Sequence, residues 1–313
     1  MGGAKEALRV GRRTVRVSRP GKVLFPSVGV TKADLARYYA RVAPVMLPHV
    51  RDRPVTMQVF PDGVGKEGFY RKDVPAHFPD WVRTVEIRAR RKDRTLRQLL
   101  LQDAATLAYL ADQAVVPHVW LSRIRDLDKA DRLVFDLDPA TDSFGRVQRA
   151  ARTFRDVLSE LGLVPFVMTT GSRGAHVVVP LRPTPFAQTR AFAKDLARLV
   201  ALGEPDLFTL EMRIAKRRGR VFLDWLRNAW AQTAVAPYAV RARPGAPVAT
   251  PVPWEDLLAR GTHARTWTVQ NVFGRLDAEG DAWRGIERRK RALGPARRRL
   301  DAWLEEAGLS PAS

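Results

Sequence analysis

Two aspartates separated by one residue, Asp136 and Asp138 in RLVFDLDP, are the first positions whose type and spacing suit chemistry. Side chains two apart on a strand leave the same face, so this β-rich run, with Leu133, Phe135 and Leu137 on one side, presents both carboxylates on the other. At that separation both ionise readily only with a cation between them, which outlines a site for a hard metal ion. Two solvated acids at a strand end would read the same way. A third acid, Asp224 in VFLDWL, again lies in an apolar β-like run, where an unpaired carboxylate is costly. Three such acids can hold two divalent ions about 3.5–4 Å apart, the arrangement used for in-line transfer at phosphorus.

The segment TTGSRGAH adds a candidate anion site. Gly171 and Gly174 let backbone N–H groups approach a phosphate, while Thr170, Ser172, Arg173 and His176 offer side-chain donors. A tight hairpin with incidental polar residues is the plainer alternative. His118, in VVPHVWLSR, is ambiguous by itself, because an HxW pair can simply pack. Lys216, Arg217, Arg218 and Arg220 closely precede Asp224, so a triphosphate held there would meet metal and guanidinium together.

These groups need a sheet to position them, and the surrounding pattern supplies one. Thr31 with Asp34 resembles a capping box that opens a helix, in which Leu35, Tyr38, Tyr39, Val42 and Met46 keep helical spacing until Pro48. A second helix is expected from Thr95 through Leu96, Leu99, Leu100, Leu107 and Leu110. Residues 143–161 read as a helix closed by Gly162, and PFVMTTGSRGAHVVVP as strand, Gly-rich turn and strand. Helix is expected again over 187–202, then in two basic stretches, 281–293 and 297–306. This mixed order predicts an α+β or α/β fold with a central sheet.

The 313 residues carry 54 Lys+Arg against 33 Asp+Glu, a formal charge of +21 that points to a polyanionic partner, nucleic acid first. With 45% hydrophobic residues the chain has material for a core, so wholesale disorder is excluded. The absence of cysteine excludes disulfides, thiol nucleophiles and thiolate metal sites, leaving hard, oxygen-held ions. No run approaches the ~18 apolar residues of a membrane span, and no secretory signal opens the sequence, so a cytoplasmic protein without a membrane partner is expected.

Five segments together resemble one family, the polymerase domain of bacterial DNA ligase D in the archaeo-eukaryotic primase superfamily. They are GKVLFPSVGVTKADLARYYARVAPVMLPHVRDRPVT, PDGVGKEGFYRKDVPAHFPDWV, PHVWLSRIRDLDKADRLVFDLDP, TTGSRGAHVVVPL and GRVFLDWLRNAWAQTAVAPYAVRARPGAPV, in the family's order over most of residues 20 to 255. The resemblance implies an α+β fold with a primase-like catalytic core, its mixed or antiparallel (RRM-like) sheets flanked by helices. It implies template-directed nucleotidyl transfer that extends primers or fills gaps in non-homologous end joining. By resemblance the metal ligands fall on Asp136, Asp138 and Asp224. Nucleotide contacts fall on His118, Thr170, Gly171, Ser172, Arg173, His176, Arg217 and Arg241. Lys22 and Lys32 match lysines that grip a 5′-phosphate across a DNA gap, and Phe69 and Tyr70 match an aromatic pair that stacks on the template.

Two Mn²⁺ ions, with Mg²⁺ as the alternative, and ribo- or deoxyribonucleoside triphosphates are the implied cofactors and substrates. Gapped, overhanging or broken DNA ends with a 5′-phosphate are the implied partners, together with Ku and a separate ligase, at a bacterial nucleoid. The sequence departs from the family pattern at Thr170, usually Ser, at Ser172, often Gly, and over Met57, Gln58 and Val59, where a basic residue is usual. Nothing in it resembles the ligase or phosphoesterase modules often fused to this domain, which suggests a stand-alone or excised form.

The expected organisation is a loose basic tail over 1–12, one catalytic unit over 13–305 and a frayed end over 306–313. Within the unit, 13–115 would meet DNA ends and 116–305 would hold metal and nucleotide. Three rival readings are a non-catalytic end-bridging factor, a metal-dependent nuclease or phosphoesterase, and a dedicated primase of the same superfamily.

Overall fold

Thr31 and Asp34 close the capping box: the Thr31 hydroxyl accepts from the Asp34 N–H at 3.2 Å, and the Asp34 carboxylate accepts from the Thr31 N–H at 3.0 Å. The helix they start, Lys32–Val50, passes through Pro48 rather than stopping there. Its buried face carries Leu35, Tyr38, Tyr39, Val42 and Met46. The Tyr38 hydroxyl donates to the Tyr238 carbonyl at 2.8 Å and the Tyr39 hydroxyl accepts from the Val240 N–H at 3.1 Å, fastening this helix to a segment 200 residues away. The computed structural model describes residues 5–61, 63–90, 94–141 and 143–312.

Two six-stranded sheets form the frame. The first runs Phe208–Thr209, Val221–Asp224, Lys129–Pro139, Ala175–Pro185, Phe166–Thr169, Pro251–Val252. Its neighbours are antiparallel except the first pair, so it is mixed. Helices Phe144–Glu160 and Phe186–Gly203 pack on it, close to the spans expected from their periodicity. The second sheet runs Thr233–Val235, Val115–Trp120, Pro54–Val59, Thr95–Leu100, Thr84–Arg88, with Phe69–Arg71 also paired to Pro54–Val59. One continuous apolar core, from Val10 to Leu304, joins all of this. The fold is therefore α+β. Among the described residues no helix is long and apolar enough to cross a membrane.

Several further expectations change. Thr95–Leu100 is a strand, and the following helix starts only at Ala104, where Asp103 caps it by accepting from the Thr106 N–H at 2.8 Å. The apolar run at 99–101 is buried on both faces, which hides its period. Within the expected tail, residues 1–4 lie outside the described residues, while Lys5–Val10 pairs with Arg13–Ser18 and buries Val10, Val15 and Val17. Its hairpin turns at Gly11, whose φ of +60° suits glycine. The stretch 281–293 holds only a short 3₁₀ turn, Ile286–Arg289, and the last helix spans Leu293–Glu306.

The expected frayed end is tied down as far as the description goes. The Ala312 N–H donates to both oxygens of buried Asp195 at 2.9 and 3.0 Å, and Arg198 donates to the Ser310 carbonyl at 2.8 Å. Ser313 lies outside the described residues. Strand Val115–Trp120 straddles the expected division at residue 115, and Thr233–Val235 joins it in the same sheet.

Candidate active site

Strand register brings the three acids together. Asp136 lies directly opposite His176 on one neighbouring strand and opposite Asp224 on the other, and Asp138 follows two residues on, on the same face. Direct cross-strand partners hold their Cβ atoms about 4.5–5.5 Å apart. Arginines occupy the carboxylates. Arg227 bridges two of them, 3.3 Å from Asp136 and 3.3 Å from Asp224. His176 Nε2 stands 3.4 Å from Asp136. Asp138 takes Arg217 at 2.9 Å and Arg173 at 3.2 Å.

The charges are unevenly shared. Burial alone would raise the Asp136 carboxyl, but His176, Arg227 and Arg241 overcome it and hold the group well below the usual carboxylate range. Asp224 goes the other way: burial raises it, the neighbouring Asp136 adds to that, and Arg227 only partly offsets them. A cation between Asp136 and Asp224 would relieve this conflict. Among the described residues no three His, Asp or Glu side chains already converge as a metal cage, and arginines instead occupy the acids. The all-oxygen donor set and the shared face suit a hard divalent ion that displaces those guanidiniums.

The 170–176 turn is built rather than incidental. The Thr170 hydroxyl accepts from the Ser172 and Gly174 N–H groups, each at 3.3 Å, and donates to the Gly174 carbonyl at 3.0 Å. Arg241 donates to the Thr170 carbonyl at 2.9 Å and Arg265 to the Ser172 carbonyl at 2.7 Å. Gly171 has φ +62°, and a Cβ there would press on the Arg241 side chain and the 248–249 backbone. A Cβ at Gly174 would run into the Leu137 carbonyl oxygen, between the two strand aspartates. The hydroxyl of Thr170 thus staples the turn, and Arg173, about a third exposed, is left as its projecting cation.

A cleft of about 180 Å³ joins these parts. Asp136, Asp138, Thr170, Ser172, Arg173, Gly174, His176, His118, Tyr70 and Arg241 line it, so most of the predicted site converges. Asp224 and Arg217 stand one step back, reaching it through Arg227 and Asp138. His118 is buried, its Nε2 has no partner among the described residues, and the Tyr70 ring meets it edge-on at 5.5 Å. Burial, then Arg241 and Arg227, push this imidazole well below its ordinary value, so it is neutral near pH 7. Arg227, Arg243 and Thr233 also line the cleft and were not anticipated. Arg227 had a signal: an arginine three residues after Asp224, where a strand passes into a 3₁₀ turn.

The other expected residues divide. Lys22 and Lys32 are neighbours in backbone, the Lys32 N–H donating to the Lys22 carbonyl at 3.0 Å, but their ammonium groups part. Lys22 donates to the Pro61 carbonyl at 3.0 Å in an exposed position. Lys32 is buried, with Asp112 at 2.8 Å and both oxygens of Ser18 satisfying it, so it is no free surface charge. Phe69 and Tyr70 are exposed rather than core residues, 43% and 61% accessible. Arg217 is enclosed, donating also to the Glu211 and Met212 carbonyls at 3.1 and 2.9 Å.

Comparison with known proteins places the chain in one family. The sequence model of a family described as the LigD primase-polymerase domain matches residues 31–283. The chain is 35% identical over 272 residues to the multifunctional non-homologous end joining protein LigD of Mycolicibacterium smegmatis, covering 85% of this chain and 35% of that protein. It is 31% identical to the Pseudomonas aeruginosa protein of the same description, covering 95% and 35%. The chain thus spans about a third of the length of these relatives. Among solved structures, the polymerase domain of Mycobacterium tuberculosis ligase D in complex with DNA superposes with a TM-score of 0.81. That match is at 32% identity and covers 90% of this chain and 99% of that one.

Proposed function

The chain belongs to the family of LigD primase-polymerase domains, and from that premise we propose that it is a template-directed nucleotidyltransferase that extends primers or fills gaps at DNA ends in non-homologous end joining. One observation carries the reading. The register that sets Asp136 against Asp224 and His176 opens onto the same cleft as the stapled turn and the unpartnered His118.

Asp136, Asp138 and Asp224 are the residues to hold a pair of divalent ions, Mn²⁺ by family resemblance or Mg²⁺, which when bound supply charge neutralisation and a more acidic primer hydroxyl. The protein's own groups position the reactants. Arg173, anchored on a rigid turn, exchanges Asp138 for a triphosphate oxygen, and His176 and Arg217 fix the two strand carboxylates from either side. Neutral His118 offers Nε2 to the sugar or phosphate of the incoming nucleotide, and with Arg241 it stands where a 2′-hydroxyl can be read, which favours ribonucleotides. No side chain needs to form a covalent intermediate, so the rate enhancement comes from positioning and electrostatics.

DNA is the partner this arrangement serves. Exposed Phe69 and Tyr70 stack on the template, Lys22 takes the 5′-phosphate beyond the gap, and Lys32 fixes the backbone next to Lys22. Ku and a separate ligase are the working partners, at the nucleoid, and the catalytic unit takes in the Lys5–Ser18 hairpin together with the rest of the described chain. Primer extension on a gapped duplex with a 5′-phosphate, with ribo- or deoxyribonucleotides and Mn²⁺ or Mg²⁺, tests the reading. Asp136→Ala/Asp138→Ala should lower extension at least about 10²–10³-fold. Extension by the double variant at the wild-type rate would remove the metal assignment.

A further inference from the structure

A second recess stands apart from the acid cleft. A cavity of about 760 Å³ opens between the second sheet and the segment after Asp224, with Trp120, Trp230, Leu96 and Ile87 among its walls. That size falls in the range of about 300–1,000 Å³ typical of small-ligand sites. Three side chains lining it carry buried polar atoms with no partner among the described residues: Gln98 Oε1, Trp120 Nε1 and Trp230 Nε1. Buried polar atoms are normally paired, so an acceptor and two donors unpaired in the walls of one recess point to a ligand that completes them once those side chains turn towards it. The two indoles meet edge-to-face at 5.2 Å.

The rim is cationic. Lys72, Arg90 and Arg190 stand around it, Arg90 lying 4.2 Å over the Trp230 ring and held by Asp128. The partly exposed Trp230 indole, the unpaired donors and acceptor within the wall, and the cations at the mouth match a heterocyclic base joined to a phosphate. An apolar peptide would use the walls but neither the unpaired amide nor the cations. The recess is also continuous with the template-stacking edge. Lys72, Ala89 and Leu96 line both it and a neighbouring groove of about 970 Å³. Tyr70 lines both that groove and the acid cleft.

We infer that this recess receives one unpaired base of the single-stranded template overhang, drawn past Tyr70 and Lys72 and seated against Gln98, Trp120 and Trp230. The inference rests on the reading of the chain as a template-using enzyme. In this arrangement the overhang's phosphates follow Lys72 and Arg190 while one base leaves the stack, which holds the template without reading its sequence strictly.

The test is fluorescence anisotropy on the full chain with a primed duplex whose template overhang carries one abasic site, moved position by position. Wild type should lose affinity about tenfold at one position and little elsewhere. Trp230→Ala and, separately, Gln98→Leu should flatten that profile. Arg190→Ala, at an exposed helix position, should weaken the whole series evenly and lessen its salt dependence. A flat wild-type profile, or a peak that persists in both pocket variants, would overturn the inference. Primer extension is read on the same preparations. Extension with a flat profile sinks the pocket alone, whereas a peak without extension keeps the pocket and sinks the polymerase reading.

Discussion

The strand Lys129–Pro139 carries an ionic cluster at each end, and the two are built to opposite purposes. At its start, Asp131 is 2% exposed and enclosed by Arg53 at 2.6 Å, Arg123 at 2.9 Å and Lys290 at 3.3 Å. Glu287 extends this cluster to Arg123 and Lys290 at 2.8 and 2.7 Å. At the other end, Asp136 and Asp138 face a cleft, and most of their contacts with arginine and histidine stretch to 3.2–3.4 Å. Short, sealed pairs leave nothing to exchange and act as a clasp. Longer pairs at an opening, with one arginine shared between two acids, hold carboxylates ready to change partners. The same residue types on one strand thus yield a fastening at one end and a reaction site at the other, and burial decides which.

Removing a sealed charge should cost most. Asp131→Asn leaves Arg53 buried without its counter-charge, and a loss of about 3–5 kcal/mol in urea unfolding is expected. A midpoint unchanged from wild type would mean that the clasp contributes nothing. The next effect is titration of its rim. Burial tends to raise Glu287, but Arg132, Lys290 and Arg123 outweigh it and bring the carboxyl from 4.5 down to about 2. The folded state binds this proton less readily than the unfolded chain, so the contribution is full above pH 4.5 and is lost as pH falls towards 2. Glu287→Gln should therefore flatten the thermal midpoint across that window. An acid limb identical in the variant would place the titration elsewhere.

The smallest change in stability is expected at the open end. Asp138→Asn keeps the shape, leaves Arg217 on the Glu211 and Met212 carbonyls and leaves Arg173 partly exposed to water, so unfolding should shift by no more than about 1 kcal/mol. A loss as large as that of Asp131→Asn would erase the distinction between the two clusters.

The open end was far more legible in sequence than the closed one. Asp136, Asp138 and the 170–176 turn announce themselves through local alternation and glycine placement, and their meeting follows from strand pairing, whereas His118 is ambiguous by itself and is picked out only by the family resemblance. Asp131 offers no such sign, since Arg53 and Lys290 are 78 and 159 residues from it and only the folded chain joins them. The same blindness explains the stretch 281–293. It scans as a basic helix, yet Glu287 and Lys290 are pulled to Arg123 and Asp131, and Arg291 lies beside Leu181 as a bridge. Lys32 matches a phosphate-gripping lysine in sequence, and its burial is not legible there because Asp112, its partner, is 80 residues away. Ala312 looked free for the same reason, its partner Asp195 lying 117 residues back.

The pairing of Asp136 with both Asp224 and His176 also limits how this chain can change length. Slipping a strand by one residue turns every side chain to the other face. One inserted or deleted residue within Phe135–Asp138, Ala175–Val177 or Phe222–Asp224 would send an acid or His176 into the core, however well the replacement residues suited a strand. Apart from the 170–174 turn, which is fixed by its own hydrogen bonds and glycines, the connections between those strands carry no such restriction. Alignments of related chains should therefore place their gaps between these short blocks, and a gap within one marks either a misaligned residue or a chain that has given up the site.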